Sequence, residues 1–185
     1  SETWSLAQFS MPNAQQYHEC VQIGDKIYAI GDWYPGVSPA QKSTGQVQIY
    51  DISTSSWQST TFSMPATKEV GNFGMASIGQ KIYIAGGVQD SNANDATDRL
   101  LEYDTVTGVW TELANMSEKR FAFPLVEYHG LLYAFGGIQG PYTWSSKPVL
   151  NTSEVYDPST NTWTQLPNMS FHRFGMAASV HNDEI

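Results

Sequence analysis

The chain has 185 residues, of which 41% are hydrophobic and 13% aromatic, with one cysteine and a formal charge of −9. This is the composition of a folded protein, and its acidic balance disfavours nucleic acid or an anionic membrane as partner. No apolar run approaches the ~20 residues of a membrane-spanning helix, so no membrane insertion is expected. The start, Ser1 to Ser10, lacks the basic-then-apolar pattern of a secretory leader. Cys20 alone provides neither a disulfide framework nor a cysteine-based zinc site. The compartment stays open, with the cytoplasm favoured over an extracellular location.

Taken in chain order, one pattern recurs. Trp4 is the tail of a first, partial copy. Ile27-Tyr28-Ala29-Ile30-Gly31-Asp32 then leads to Gln48-Ile49-Tyr50-Asp51 and Trp57. Ile82-Tyr83-Ile84-Ala85-Gly86-Gly87 leads to Leu101-Glu102-Tyr103-Asp104 and Trp110. Leu131-Leu132-Tyr133-Ala134-Phe135-Gly136-Gly137 leads to Glu154-Val155-Tyr156-Asp157 and Trp163. The four tryptophans are each 53 residues apart, as are the three Tyr-Asp pairs. Self-similarity at such a period signals a solenoid, a propeller or an array.

Each copy reads as four short strands, here a to d. In the third copy they fall at 121–128, 131–135, 152–156 and 162–166. Strand b is nearly all apolar, as suits burial on both faces. His129-Gly130 and Asp157 to Asn161 supply turn chemistry. The fold class is therefore all-β. The copies occupy 10–62, 63–115 and 116–168, with a lone strand d at 1–9 and the start of a further copy at 169–185. Glycines ending strand b mark a close backbone approach, expected where strands crowd near an axis. The tryptophans, and with them Tyr50, Tyr103 and Tyr156, are large enough to wedge neighbouring sheets apart. A buried Trp110 should cost roughly 3–5 kcal/mol when cut to alanine.

The double glycine after a hydrophobic-Tyr run, the Tyr-Asp pair and the later Trp resemble the Kelch repeat. Arg120 and Arg173 hold the position that opens a unit of that family, four residues after Met116 and Met169. Lys68 and Gln15 stand there in the other two units and depart from the pattern. The resemblance covers nearly the whole chain and implies a β-propeller of four-stranded blades. Three blades with a partial blade at each end would form an open arc, which is read as a piece of a larger ring. Unpaired edges are association-prone, so self-association through them is the alternative.

Alternating strands would bring the b–c loops and the d–a connections to one face and the short a–b and c–d turns to the other. The b–c loops carry Trp33, Tyr34, Tyr142 and Trp144 outside the repeat positions. Such aromatics could anchor a partner, with packing over the neighbouring blade as the alternative. Lys68, Arg120 and Arg173 lie where strand d passes to strand a. The resemblance to Kelch-like substrate adaptors implies that cations on this face could hold an acidic peptide. A structural ion pair or hydrogen bond to an adjacent blade is the preferred reading of these cations. The expected function is a protein- or peptide-binding scaffold, with no catalytic residue, metal or cofactor assigned.

Enzyme chemistry finds little footing. The four histidines, His18, His129, His172 and His181, show no metal-ligand spacing. Cys20 neighbours His18 and Glu19 on a strand whose side chains alternate faces, and it reads as a small buried cysteine. Among Kelch-type propellers, the resemblance leaves two enzymatic alternatives: oxidases similar to galactose oxidase, which need a cysteine–tyrosine cross-link and histidines, and sialic-acid mutarotases. An extracellular interaction repeat is the remaining alternative, since Asn115, Asn151 and Asn168 each open an Asn-x-Ser/Thr tripeptide.

Overall fold

The computed structural model describes residues 10–12, 18–31, 45–58, 63–65, 70–88, 96–140 and 148–185. These residues contain twelve strands and no helix. They are β1 Glu19–Ile23, β2 Lys26–Ile30, β3 Val47–Asp51, β4 Ser56–Gln58, β5 Gly74–Ile78, β6 Lys81–Ala85, β7 Leu100–Asp104, β8 Trp110–Leu113, β9 Leu125–Tyr128, β10 Leu131–Phe135, β11 Ser153–Asp157 and β12 Thr162–Leu166. They pair into three antiparallel four-stranded sheets: β1 to β4, β5 to β8 and β9 to β12, each in sequential order. The architecture is that of partial propeller blades.

The sheets repeat the same register. Tyr50 pairs with Ile27 and Trp57, Tyr103 with Ile82 and Trp110, and Tyr156 with Leu132 and Trp163. β5 lies beside β1 on one side and β9 on the other, so each sheet turns its first strand inward and its fourth outward. Strand a of the third copy is shorter than its sequence suggests, with its ladder starting at Leu125. Pro124 has no N–H to give, and Ala122 sits at a φ of 54°. Phe121 makes only an isolated bridge to Ile138.

Two-residue alternation explains the apolar runs. In the middle sheet, Met75, Ile82, Ile84, Leu101 and Tyr103 face the first sheet, where they meet Tyr28, Ile30, Val47 and Ile49. From the opposite face, Ala76, Tyr83, Ala85 and Leu100 meet Leu125, Leu132, Ala134 and Tyr156 of the third sheet. A strand such as β6 is apolar throughout because both of its faces are interior.

The wedge divides its labour differently from the expectation. Tyr103 and Tyr156 are fully buried, while Trp110 and Trp163 are only half-buried. The tryptophans sit on the outermost strand and keep one side in solvent. Trp110 lies against Tyr103 with ring centroids 4.8 Å apart. The Trp163 Nε1–H donates to the Ala114 carbonyl of the preceding sheet at 2.9 Å, and Ala114 N–H donates to Asn161 Oδ1 at 2.9 Å. Asn161 Oδ1 also accepts from the Tyr156 hydroxyl at 2.8 Å. Burial, with repulsion from Glu102 and Asp157, pushes the Tyr156 hydroxyl pKa up to about 12.

The first glycine of each pair is crowded by the next unit's arginine carbonyl and by side chains beside it, and the second by the chain of its own unit ahead of that unit's first strand. Gly87 N–H donates to the Arg120 carbonyl at 2.9 Å, and Gly137 N–H donates to the Arg173 carbonyl at 2.8 Å. A Cβ on Gly136 would lie 2.5 Å from the Arg173 carbonyl oxygen, and one on Gly86 would collide with the Arg120 carbonyl. A Cβ on Gly137 would stand 2.9 Å from the Phe121 carbonyl, at a φ of 102° that L side chains rarely adopt. Asp32, the substitute in the first copy, lies outside the described residues.

Two stability outcomes follow from this packing. Gly137→Ala should destabilise by about 2 kcal/mol or more, because strain and steric conflict act at one site; a loss below about 0.5 kcal/mol in urea unfolding would show that the approach is loose. Tyr103→Ala should cost about 3–5 kcal/mol as a core truncation. Trp110→Ala should cost less than Tyr103→Ala in the same assay, reversing the order expected from side-chain size.

Candidate binding face

The two ends of the sheets are built differently. At one end the turns are tight and tied together: Ile52 N–H donates to Asp25 O at 2.8 Å, and Thr105 N–H donates to Gln80 O at 3.0 Å. The turn carboxylates Asp51, Asp104 and Asp157 are held below the usual carboxylate range. Ser53 is the leading cause at Asp51, the Thr107 N–H at Asp104 and Ser159 at Asp157. These bonds consume the turn's polar groups and leave little to offer a partner.

At the other end the b–c segments and the d–a connections meet. Met116 N–H donates to Asp98 O at 2.8 Å and Met169 N–H to Asn151 O at 2.8 Å, so successive copies use the same tie. Isolated bridges link Val88 to Gly71 and Ala96, and Ile138 to Phe121 and Val149. Val88, Ala96, Phe121 and Ile138 form a separate buried cluster there. This apolar collar pins both bases of the b–c segments of the second and third copies. Trp33, Tyr34, Lys68, Tyr142 and Trp144 lie outside the described residues.

Arg120 is described, and it is not offered at this face. Its side chain has 0% exposure. Nη2 meets Glu154 Oε1 at 2.6 Å, and Glu154 is itself buried. Nη1 donates to the Gly136 carbonyl at 2.6 Å. Glu154 Oε2 accepts from the Ser117 N–H at 2.8 Å, and Glu118 approaches Nη2 at 3.4 Å while accepting from the Thr152 hydroxyl. Of the two readings of Arg120, the geometry has the structural ion pair, made within its own sheet through Gly136 and Glu154 rather than to an adjacent blade. Arg173, in the same repeat position, is exposed, with its guanidinium 6.0 Å from the Phe171 ring centroid.

Residues 169–185 expose apolar side chains in the same way. Phe174 is 54% exposed where its counterpart Phe121 is fully buried, and Phe171 is 67% exposed. Met169, Phe171, Arg173 and Met176 line an open hollow of about 420 Å³.

Sequence reasoning missed Glu154, Thr152 and the collar. A signal for Glu154 existed. The carboxylate stands two residues before Tyr156 in a unit that opens with Arg120, whereas Gln48 and Leu101 hold that place in units opening with Gln15 and Lys68.

Cys20 also departs from expectation, since it is exposed. β1 turns it toward the concave inner side, where it lines a cavity of about 270 Å³ with Glu19, Gly74, Leu125 and Met176. Partial desolvation, helped by Glu19, raises the thiol pKa, which keeps it a poor nucleophile. Glu19 is raised by desolvation as well. Among the described residues, no three His, Cys, Asp or Glu side chains converge as metal ligands.

A sequence model of the family described as the Attractin/LZTR1 beta-propeller matches residues 1–185. Mouse Kelch-like protein 36 is 30% identical over 135 residues, covering 72% of this chain and 21% of its own length. An N-(sulfonatooxy)prop-2-enimidothioate sulfolyase of Thlaspi arvense is 27% identical over 176 residues, covering 90% of this chain and 49% of that protein. Human Kelch-like protein 23 is 24% identical over 182 residues, covering 98% of this chain and 29% of its own. The chain thus spans between about a fifth and a half of the length of these relatives.

The buried ion pair is open to a direct test. Arg120→Met should destabilise by about 3–5 kcal/mol, since it strands the Glu154 charge in the interior. Glu154→Gln in the Arg120→Met background should recover part of that loss, and the double-mutant cycle should return a coupling above about 1 kcal/mol. Additive single effects would mean that the two charges do not sense one another.

Proposed function

Because this chain belongs to the Attractin/LZTR1 beta-propeller family of Kelch-repeat propellers, we propose that it is a protein- or peptide-binding scaffold that works through its b–c and d–a end. The observation that carries the reading is the asymmetry of the two ends. One is trimmed to tight, internally satisfied turns. At the other, the collar of Val88, Ala96, Phe121 and Ile138 fixes the positions between which the sequence runs its longer b–c stretches. Segments fixed at both bases lose less entropy when they engage a partner, and long loops on a rigid scaffold are where recognition concentrates.

Within this reading, Trp33, Tyr34, Tyr142 and Trp144 supply apolar anchors. Lys68 and Arg173 supply charge for an acidic segment of the partner. Arg120 positions the loop bases instead of touching the partner. Fold membership alone does not distinguish a binder from an enzyme. The Thlaspi arvense relative keeps a second reading in place, in which the same end turns over a small substrate.

A display library of acidic peptides, selected on the chain and titrated at two salt concentrations, tests the binding reading. Selected peptides should weaken at least about tenfold when Trp33 and Trp144 are both changed to alanine, by loss of buried anchors. Arg173→Glu should weaken them further and flatten the salt dependence, whereas Val106→Ser at the opposite end should change nothing. Unchanged affinity in the tryptophan variant, with its unfolding midpoint intact, rejects the face. Turnover of the sulfolyase substrate by the wild-type chain would favour the enzymatic reading.

A further inference from the structure

Three Asn-x-Ser/Thr tripeptides occur in the chain, and the fold treats them unequally. Asn115-Met116-Ser117 and Asn168-Met169-Ser170 occupy the same place in successive copies, just past the outermost strands β8 and β12. In both, the middle residue turns inward. The Met116 ε-carbon lies 3.2 Å from where a Cβ on Gly86 would stand, and the Met169 ε-carbon lies 2.9 Å from the same point on Gly136. With methionine anchored, the extended chain sends its neighbours the other way. Asn115, Ser117, Asn168 and Ser170 are all exposed.

The third tripeptide, Asn151-Thr152-Ser153, is folded in. Asn151 Nδ2 donates to the Met169 carbonyl at 3.2 Å, while the Asn151 carbonyl accepts the Met169 N–H at 2.8 Å. Thr152 Oγ1 donates to Glu118. Ser153 is 2% exposed and begins β11. A sugar on Asn151 would have to enter the seam between the third sheet and residues 169–176.

We infer that Asn115 and Asn168 are the positions at which this fold takes N-linked glycans, and that Asn151 is not. The donor would be a lipid-diphosphate-linked oligosaccharide. The bond from the sugar C1 to the asparagine Nδ2 forms, the bond from C1 to the phosphate oxygen breaks, the lipid diphosphate leaves, and Nδ2 loses one proton. Both asparagines lie in d–a connections directly after the outermost strands, one on each of two neighbouring sheets. The inference rests on the exposure of the tripeptides, which lie in d–a connections at the end proposed for binding.

The test is expression of the full chain behind a cleavable secretion signal in a eukaryotic host. Sites are mapped by mass spectrometry after enzymatic deglycosylation in ¹⁸O-labelled water. Labelled aspartate should appear at positions 115 and 168, with position 151 unmodified. Asn115→Gln and Asn168→Gln should each remove one glycan and leave the melting temperature of the deglycosylated protein unchanged. Asn151→Gln should lower that temperature without changing the glycan mass. A glycan on Asn151 in folded, secreted protein overturns the inference, and so does an unmodified Asn115 or Asn168.

Discussion

The structure depends on the backbone contact between one unit's paired glycines and the next unit's arginine carbonyl. Gly87 N–H meets Arg120 O and Gly137 N–H meets Arg173 O at hydrogen-bonding distance. The adjoining Gly86 and Gly136 leave no room for a Cβ against those carbonyls. Any side chain there would push the sheets apart where they must come closest. A second, inner tie runs parallel to it: Ala122 N–H donates to Asn72 O, and Gly175 N–H donates to Ala122 O. The donors sit at positive φ, which lets the chain turn its N–H toward the neighbouring copy before β9 begins.

Arg120 joins the two levels of organisation in one residue. Its carbonyl receives the preceding sheet's Gly87, while its guanidinium reaches Gly136 and Glu154 of its own sheet. Burying a full charge is costly, and a close carboxylate with added hydrogen bonds offsets that cost. What remains is geometric: the d–a connection is clamped from both sides, and Phe121 next to it is carried into the collar with Ile138. The rigidity of the loop end is thus inherited from an ion pair that no ligand can reach.

The same arrangement explains how one scaffold hosts relatives as different as Kelch-like proteins and a sulfolyase. Interior positions are occupied twice over, because every sheet between two others buries both faces. The turn end is exhausted by its own Asp, Ser and Thr hydrogen bonds. Variation is therefore left to what joins the fixed positions Val88 to Ala96 and Ile138 to Val149.

From the sequence alone, the 53-residue period, the strand alternation and the turn residues determined an all-β repeat of four-stranded sheets. These are local properties: a strand's facing pattern and a turn's need for positive φ are written in neighbouring residues. The tertiary structure alone decided that Tyr156 is interior while Trp163 is half in solvent, because burial depends on which strand lies outermost. Likewise, the sequence places Arg120 at the opening of a unit, but only the fold brings its guanidinium to Glu154, 34 residues further along the chain, because a side chain's partner across strands is set by tertiary packing.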